Sequence, residues 1–268
     1  GFFLSQAYVP PQEISNGIAR INVVEGYIDT VTIVNEENSS DTQVRRTRTP
    51  GVLVHGRIGT REPMLVSLAA KIRRNQPLHI EDLERYMSLA KDMPGLSSVR
   101  SLLSPSKKPG ASDLKLIVNF PIKDRFEAIK NHFDASLSFD NRGTKTVGPY
   151  QATATLGASS MFRPFDKTNL TYVQTSDWNE LHYVAVSHEQ PLNSEGTKLL
   201  LSGNRSRSVP GDNLAYLDML STSTGLEVGV SHPIIRRRQT NLSVEAKLGY
   251  KNSQSLSLGE LLSEDRIR

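Results

Sequence analysis

The sequence predicts a chain in two parts: a small α+β module, then an all-β antiparallel meander of about seven strands. Two observations on the 268 residues carry this expectation. Two apolar stripes at helical spacing lie between short β-rich runs in the first part. After a join near Asp124 to Glu127, apolar and polar residues alternate with period two, one segment after another.

In the first part, Leu4 to Val9 and Ile18 to Val24 are β-rich runs parted by Pro10-Pro11 and Asn16-Gly17. A third run, Tyr27 to Val34, alternates less cleanly, and the polar stretch from Glu36 to Gly51 reads as loop. Leu65, Leu68, Ala69 and Ile72 then fall on one face of a helix that Gln76-Pro77 ends. Ile80, Leu83, Met87 and Ala90 form a second stripe, closed by Pro94-Gly95. Strands at Val99 to Leu103 and Leu114 to Phe120 follow, joined through Pro105 to Gly110. A sheet covered on one face by two helices is the economical packing.

In the second part, Phe133, Ala135, Leu137 and Phe139 alternate with Asp134, Ser136 and Ser138. Ala152, Ala154 and Leu156 do the same, as do Leu242, Val244, Ala246, Leu248 and Tyr250. Further strands are expected at Asn169 to Gln174, Leu181 to Ser187, Thr197 to Gly203 and Gly225 to Ser231. The connectors Asn141-Arg142-Gly143, Arg163-Pro164, Asn193-Ser194-Glu195-Gly196 and Pro210-Gly211-Asp212-Asn213 hold turn chemistry. Only the last dozen residues leave room for a helix. Alternation of this kind suits a transmembrane barrel and a soluble β-sandwich equally.

Composition narrows the function classes. Apolar residues make up 37% of the chain, and the mean hydropathy is −0.38. No window approaches the roughly 18 apolar residues of a spanning helix. There is no cysteine, so disulfides and thiolate metal sites are excluded. The net charge is +4. Its short basic runs, Arg45-Arg46 with Arg48, Lys107-Lys108 and Arg236-Arg237-Arg238, read as solvated loops and not as a nucleic-acid surface. Lys71, Arg74 and Glu84, off the helix stripes, read as ordinary solvated charges.

Several strings, in order, carry a resemblance. Gly1-Phe2-Phe3-Leu4-Ser5-Gln6-Ala7-Tyr8-Val9-Pro10-Pro11-Gln12, Ile14 to Gly17 and Val23-Val24-Glu25-Gly26-Tyr27-Ile28 are the first. Leu83-Glu84-Arg85, Asp92-Met93-Pro94-Gly95 and Pro109-Gly110-Ala111-Ser112-Asp113-Leu114 follow. Phe139-Asp140-Asn141-Arg142-Gly143 through Gly148-Pro149-Tyr150 completes the set. Together they resemble the haemolysin and haemagglutinin secretion/activation proteins, the transporters of two-partner secretion.

The resemblance implies α+β POTRA modules followed by an all-β antiparallel transmembrane β-barrel, of which about seven strands are present. Residues 1–26 correspond to the end of the first POTRA domain, 27–123 to the second and 124–268 to the start of the barrel. A finished barrel of the family has about sixteen strands, so the chain is expected to be a fragment. The implied place is the bacterial outer membrane, with the N-terminal module in the periplasm. The implied partners are outer-membrane lipid and a large secreted exoprotein with an N-terminal β-helical secretion domain. A barrel assembly factor of the same superfamily, or a soluble β-rich adhesin or carbohydrate-binding module, are the alternatives.

No catalytic, cofactor or metal site is expected. Ser104-Pro105-Ser106-Lys107 has Ser-x-x-Lys spacing, but its prolines argue for a turn where that chemistry needs a helix. The six histidines, His55, His79, His132, His182, His188 and His232, make no i, i+4 pair. No phosphate-binding Gly-rich loop is present. Recognition is instead expected by strand addition at Val99, Arg100, Ser101, Leu102 and Leu103, or in the groove they form with the helix bearing Arg85 and Met87. In the barrel, Phe133, Leu137, Leu242 and Leu248 are expected to face lipid, and Ser136, Glu245 and Lys247 the lumen.

Overall fold

The computed structural model describes residues 2–14, 17–36, 44–56, 58–120 and 133–267. The expected join at Asp124 to Glu127, Asn16 and His132 lie outside them. The chain divides into two units. The first is Gly1–Lys123 with Asn193–Gly196 and Pro233–Ser243; the second is Asp124–Leu192, Thr197–His232 and Val244–Arg268.

In the first unit, β1 (Gln6–Tyr8) pairs antiparallel with β2 (Asn22–Val24). The main sheet is built on β3 (Tyr27–Asn35), whose Ile28, Val31 and Ile33 are fully buried. Its other strands are β4 (Val44–Arg46), β5 (Val52–His55), β6 (Ser98–Pro105) and β7 (Ala111–Asn119). They lie in the order β4-β5-β3-β7-β6. Pairing is parallel between β3 and both β5 and β7, and antiparallel at the two edges.

Helices α1 (Glu62–Arg74) and α2 (Ile80–Lys91) pack on each other, α1 against β3 and α2 against β6. Pro63 opens α1, while Lys71, Arg73 and Arg74 stand in its last turn, favourable against the helix dipole. Its expected stripe, Leu65, Leu68, Ala69 and Ile72, is fully buried. On α2 the buried set is Leu83, Tyr86, Leu89 and Ala90. Met87 is half-buried, because the face is turned so that Tyr86 takes the inward position. Gly26 is required by a close approach: a Cβ there would lie 2.3 Å from the backbone of Leu4.

β4 corrects the expectation of loop within Glu36 to Gly51, of which residues 37–43 lie outside the described ones, and β5 enlarges the expected sheet. Both strands are too short to show a period in sequence. β5 is recruited by pairing with β3, burying Val52 and Val54.

Among the described residues the second unit carries eight antiparallel strands, each paired with its chain neighbour: β8 (Phe133–Asp140), β9 (Gln151–Ser159), β10 (Lys167–Thr175), β11 (Leu181–Pro191), β12 (Lys198–Ser208), β13 (Met219–Arg236), β14 (Asn241–Ser257) and β15 (Glu260–Ile267). The count exceeds the seven expected because the last dozen residues form β15, not a helix. Leu258 and Gly259 both take positive φ, 51° and 79°, and close a two-residue hairpin pairing Ser257 with Glu260.

The register keeps one face apolar across the sheet. Ala135 lies opposite Leu156, Leu156 opposite Leu170, Leu170 opposite Val186, Val186 opposite Gly203 and Gly203 opposite Leu226. Leu137, Leu156, Leu170, Val186, Leu226 and Leu248 on this face are exposed. The intervening residues are mostly Ser, Thr, Asn and charged groups. Between β9 and β10, the buried Asp166 accepts hydrogen bonds from the backbone N–H groups of Met161, Phe162 and Arg163 at 2.7, 2.8 and 2.8 Å.

Candidate functional site

Among the described residues β6 is the last strand of its sheet. Val99 is buried, and every residue from Arg100 to Pro105 is exposed, with Leu102 at 57% and Leu103 at 39%. Ser106 donates to the carbonyl of its register partner Ala111. By the alternation of an antiparallel ladder, Arg100, Leu102 and Ser104 donate inward to β7. The N–H groups of Val99, Ser101 and Leu103 therefore point off the sheet, and Pro105, which has none, falls in the same outward set. Between the end of α2 and this strand, Lys91, Leu96, Ser97, Ser98 and Val99 line a hollow of about 300 Å³. Arg100 is ion-paired to Glu36 at 2.6 Å.

Arg85 is turned away from this edge, and Met87 stands half-buried on α2, the helix that packs against β6. Arg85 is turned to the segments of the first unit that come late in the chain. It donates from Nη1 to the carbonyl of Ile234 at 2.9 Å and from Nη2 to that of Pro233 at 3.0 Å. Its Nη2 also lies 3.8 Å from Glu195 Oε2. Lys71 Nζ is 2.9 Å from Glu195 Oε1, and the Tyr86 hydroxyl donates to the same oxygen at 3.3 Å. Arg236 grips Asp92 with two bonds of 2.6 and 2.7 Å, and Arg237 pairs with Glu81.

Burial works to raise the Glu195 pKa, but the hydrogen bond and charge of Lys71, with Arg85 and Tyr86, outweigh it and hold the carboxyl below its ordinary value. Burial, then the Glu195 charge, raises the Tyr86 hydroxyl. These contacts correct two expectations. Lys71 is not an ordinary solvated charge, and Arg236 is held by Asp92, whereas Arg237, though paired with Glu81, stays exposed in the loop after β13. No local pattern signals them, since the partners lie more than a hundred residues apart in the chain.

The Ser104 to Lys107 segment lies at the end of β6 and in the following hairpin, not on a helix. Among the described residues no group of three or more His, Cys, Asp or Glu is placed to hold a metal. No helix among them is long and apolar enough to cross a membrane.

An up-and-down sheet with one exposed apolar face, following a module with a free strand edge, defines a segment of an outer-membrane β-barrel protein. The chain belongs to the haemolysin secretion/activation family ShlB/FhaC/HecB, whose pattern matches residues 127–267. It is similar to the heme/hemopexin transporter protein HuxB of Haemophilus influenzae strain 86-028NP, with 22% identity over 251 residues. That match takes in 94% of this chain and 39% of HuxB. The outer membrane transporter CdiB of Dickeya dadantii strain 3937 is 25% identical over 167 residues, 62% of this chain and 24% of the relative.

Among solved structures, CdiB from Escherichia coli shares the fold at a TM-score of 0.67 and 18% identity, covering 99% of this chain and 44% of that one. CdiB from Acinetobacter baumannii gives 0.61 and 20%, covering 98% and 44%. The chain therefore spans about two fifths of the length of the HuxB sequence it matches. The family and the sheet place it in the outer membrane.

Proposed function

We propose that this chain is the recognition module and first strands of a pore that secretes a large exoprotein by the two-partner route, without nucleotide hydrolysis. Residues 1–26 are then the end of one POTRA domain, 27–123 a second and 124–268 the start of the barrel, with the POTRA part in the periplasm. The observation that supports this best is the free edge of β6, in a chain of a secretion/activation family. Val99, Ser101 and Leu103 offer a row of outward backbone donors, with Leu102 exposed beside them. An extended segment can add there through main-chain hydrogen bonds with little sequence demand. That suits an unfolded exoprotein carrying an N-terminal β-helical secretion domain. Arg100 flanks the edge as a charge, and Met87 stands half-buried on α2 as an apolar contact. Arg85 acts one step removed, by holding the late segments of the first unit.

Ser101→Pro and Leu103→Pro in the full-length protein test this, because each removes an outward donor without touching the ladder to β7. The expected result is loss of exoprotein secretion domain binding, measured by titration, while circular dichroism stays unchanged. Unaltered affinity in folded variants would sink the strand-addition mechanism.

A further inference from the structure

On β8 to β12 the exposed apolar face of the second unit carries charge at one place. Every carboxylate of β8 to β13, namely Asp134, Asp140, Glu189 and Glu227, lies on the opposite, polar register. On the apolar register of β8 to β12 the residues run Ala, Leu, Phe, Val, Thr, Tyr, Gln and His until they reach Arg205 and Arg207. Both arginines are exposed. Among the described residues neither guanidinium makes an ion pair or a side-chain hydrogen bond.

Their surroundings suit an anion. Arg205 stands between Val184 and Thr224, and Arg207 between His182 and Thr222. Next to Val184 is Tyr172, whose hydroxyl donates to Gln174 at 2.8 Å and lies 3.4 Å from His182 Nδ1. Tyr172, His182, Val184, Arg205 and Arg207 line a hollow of about 140 Å³. One step along β12 is Gly203, flanked by Val186 and Leu226, and then Leu201 beside Val228. A flat apolar strip thus leads directly to a pair of free guanidinium groups.

A charge on the lipid-facing register is tolerated at the membrane interface and penalised at the midplane. Exposed aromatics mark that interface at the same strand ends: Phe139, Tyr150 and Trp178 line a hollow of about 610 Å³. Phe139 is linked through Ala152, Gln174 and His182 to Arg207 by successive register pairs.

We propose that Arg205 and Arg207 form a binding site for the phosphate of an outer-leaflet glycolipid, whose acyl chains lie along Val186, Leu201 and Leu226. Guanidinium forks match phosphate oxygens, and acyl chains match the strip beneath. The choice of leaflet rests on the proposed function. A chain entering the sheet from the periplasm at Phe133 runs outward along β8, β10 and β12, so Arg205 and Arg207 reach the outer side.

Native mass spectrometry of the full-length protein tests the site. The probes are lipid A bearing two phosphates, the same lipid A dephosphorylated, and phosphatidylglycerol. The doubly phosphorylated lipid A is expected to bind, and occupancy to fall roughly tenfold on dephosphorylation or in the Arg205→Ala/Arg207→Ala double variant, as lost charge-assisted hydrogen bonds require. The Arg205→Lys/Arg207→Lys protein keeps most of it. Equal occupancy by both forms of lipid A on the unaltered protein overturns the proposal without any variant, as does full retention by the alanine variant. Phosphatidylglycerol bound as tightly as lipid A overturns the glycolipid assignment. Heat-modifiable gel migration of the same samples separates the failures. A protein with no compact heat-modifiable form sinks the pore and this site together, whereas a compact barrel without phosphate-dependent binding sinks this site alone.

Discussion

Glu195 and Lys71 are joined by a 2.9 Å ion pair that ties a turn in the last third of the chain to the first helix. Tyr86 and Arg85 complete the surround from the second helix. Asn193–Gly196 thereby folds as a part of the α/β unit although it lies between two strands of the long meander.

This pair sets a pH dependence. The Glu195 carboxyl is held below its ordinary value, so the folded state binds its proton less readily than the unfolded chain. Its contribution is fully present above the unfolded glutamate value of about 4.3, and is lost as pH falls through the lower folded value. Hydrogen-exchange protection factors of the α2 amides should fall on going from about pH 6 to about pH 3, and Glu195→Gln should flatten that change while lowering protection at the higher pH. A pH profile identical in the variant would assign the change to other groups.

The register makes the two faces of the eight-stranded sheet unequal. Val228 lies on the exposed apolar face opposite Leu201, whereas Ser202 lies on the polar face opposite Glu227. Val228→Lys should destabilise the inserted barrel by about 2–4 kcal/mol if it lies near the midplane. Ser202→Lys should be close to neutral, since it gains the Glu227 carboxylate. The heat-modifiable fraction of each variant against urea concentration measures the difference. Equal sensitivity at the two positions would mean that the apolar face is not the lipid face.

The β14–β15 turn depends on left-handed backbone at two successive residues. Gly259→Val should cost the hairpin about 1–3 kcal/mol, because a β-branched residue resists positive φ. Leu258→Asn, by contrast, places a residue suited to a type I′ turn at an exposed position and should stabilise it. The urea midpoints of the two variants should therefore move in opposite directions.

Much of this architecture is legible in the residues. Leu65 to Ile72 announces α1, and the alternation at Phe133 to Phe139 or Leu242 to Tyr250 announces strands, because burial on one face leaves a period. β4 and β5 are not legible, since three or four residues hold no period and their place comes from β3. The ends of β13 and β14 extend beyond expectation where Ser and Thr replace apolar residues, so pairing continues without contrast between faces. β15 is obscured by Glu264, Asp265 and Arg266, three successive charges that interrupt the alternation. Of the proposed recognition residues, Val99 to Leu103 is readable as a strand. The turning of Arg85 toward Pro233 and Ile234 is not, because it depends on segments that meet only in three dimensions.

The free edge of β6 has a further consequence for the protein's own solubility. An edge open to any extended chain is open to the same edge of a second copy, which offers identical donors and acceptors. Arg100 reaches inward across β7 to Glu36 at the end of β3, and Pro105 ends the outward donors on one side. On the proposed reading, a short outward row of donors admits one extended segment while limiting how far two folded edges can pair.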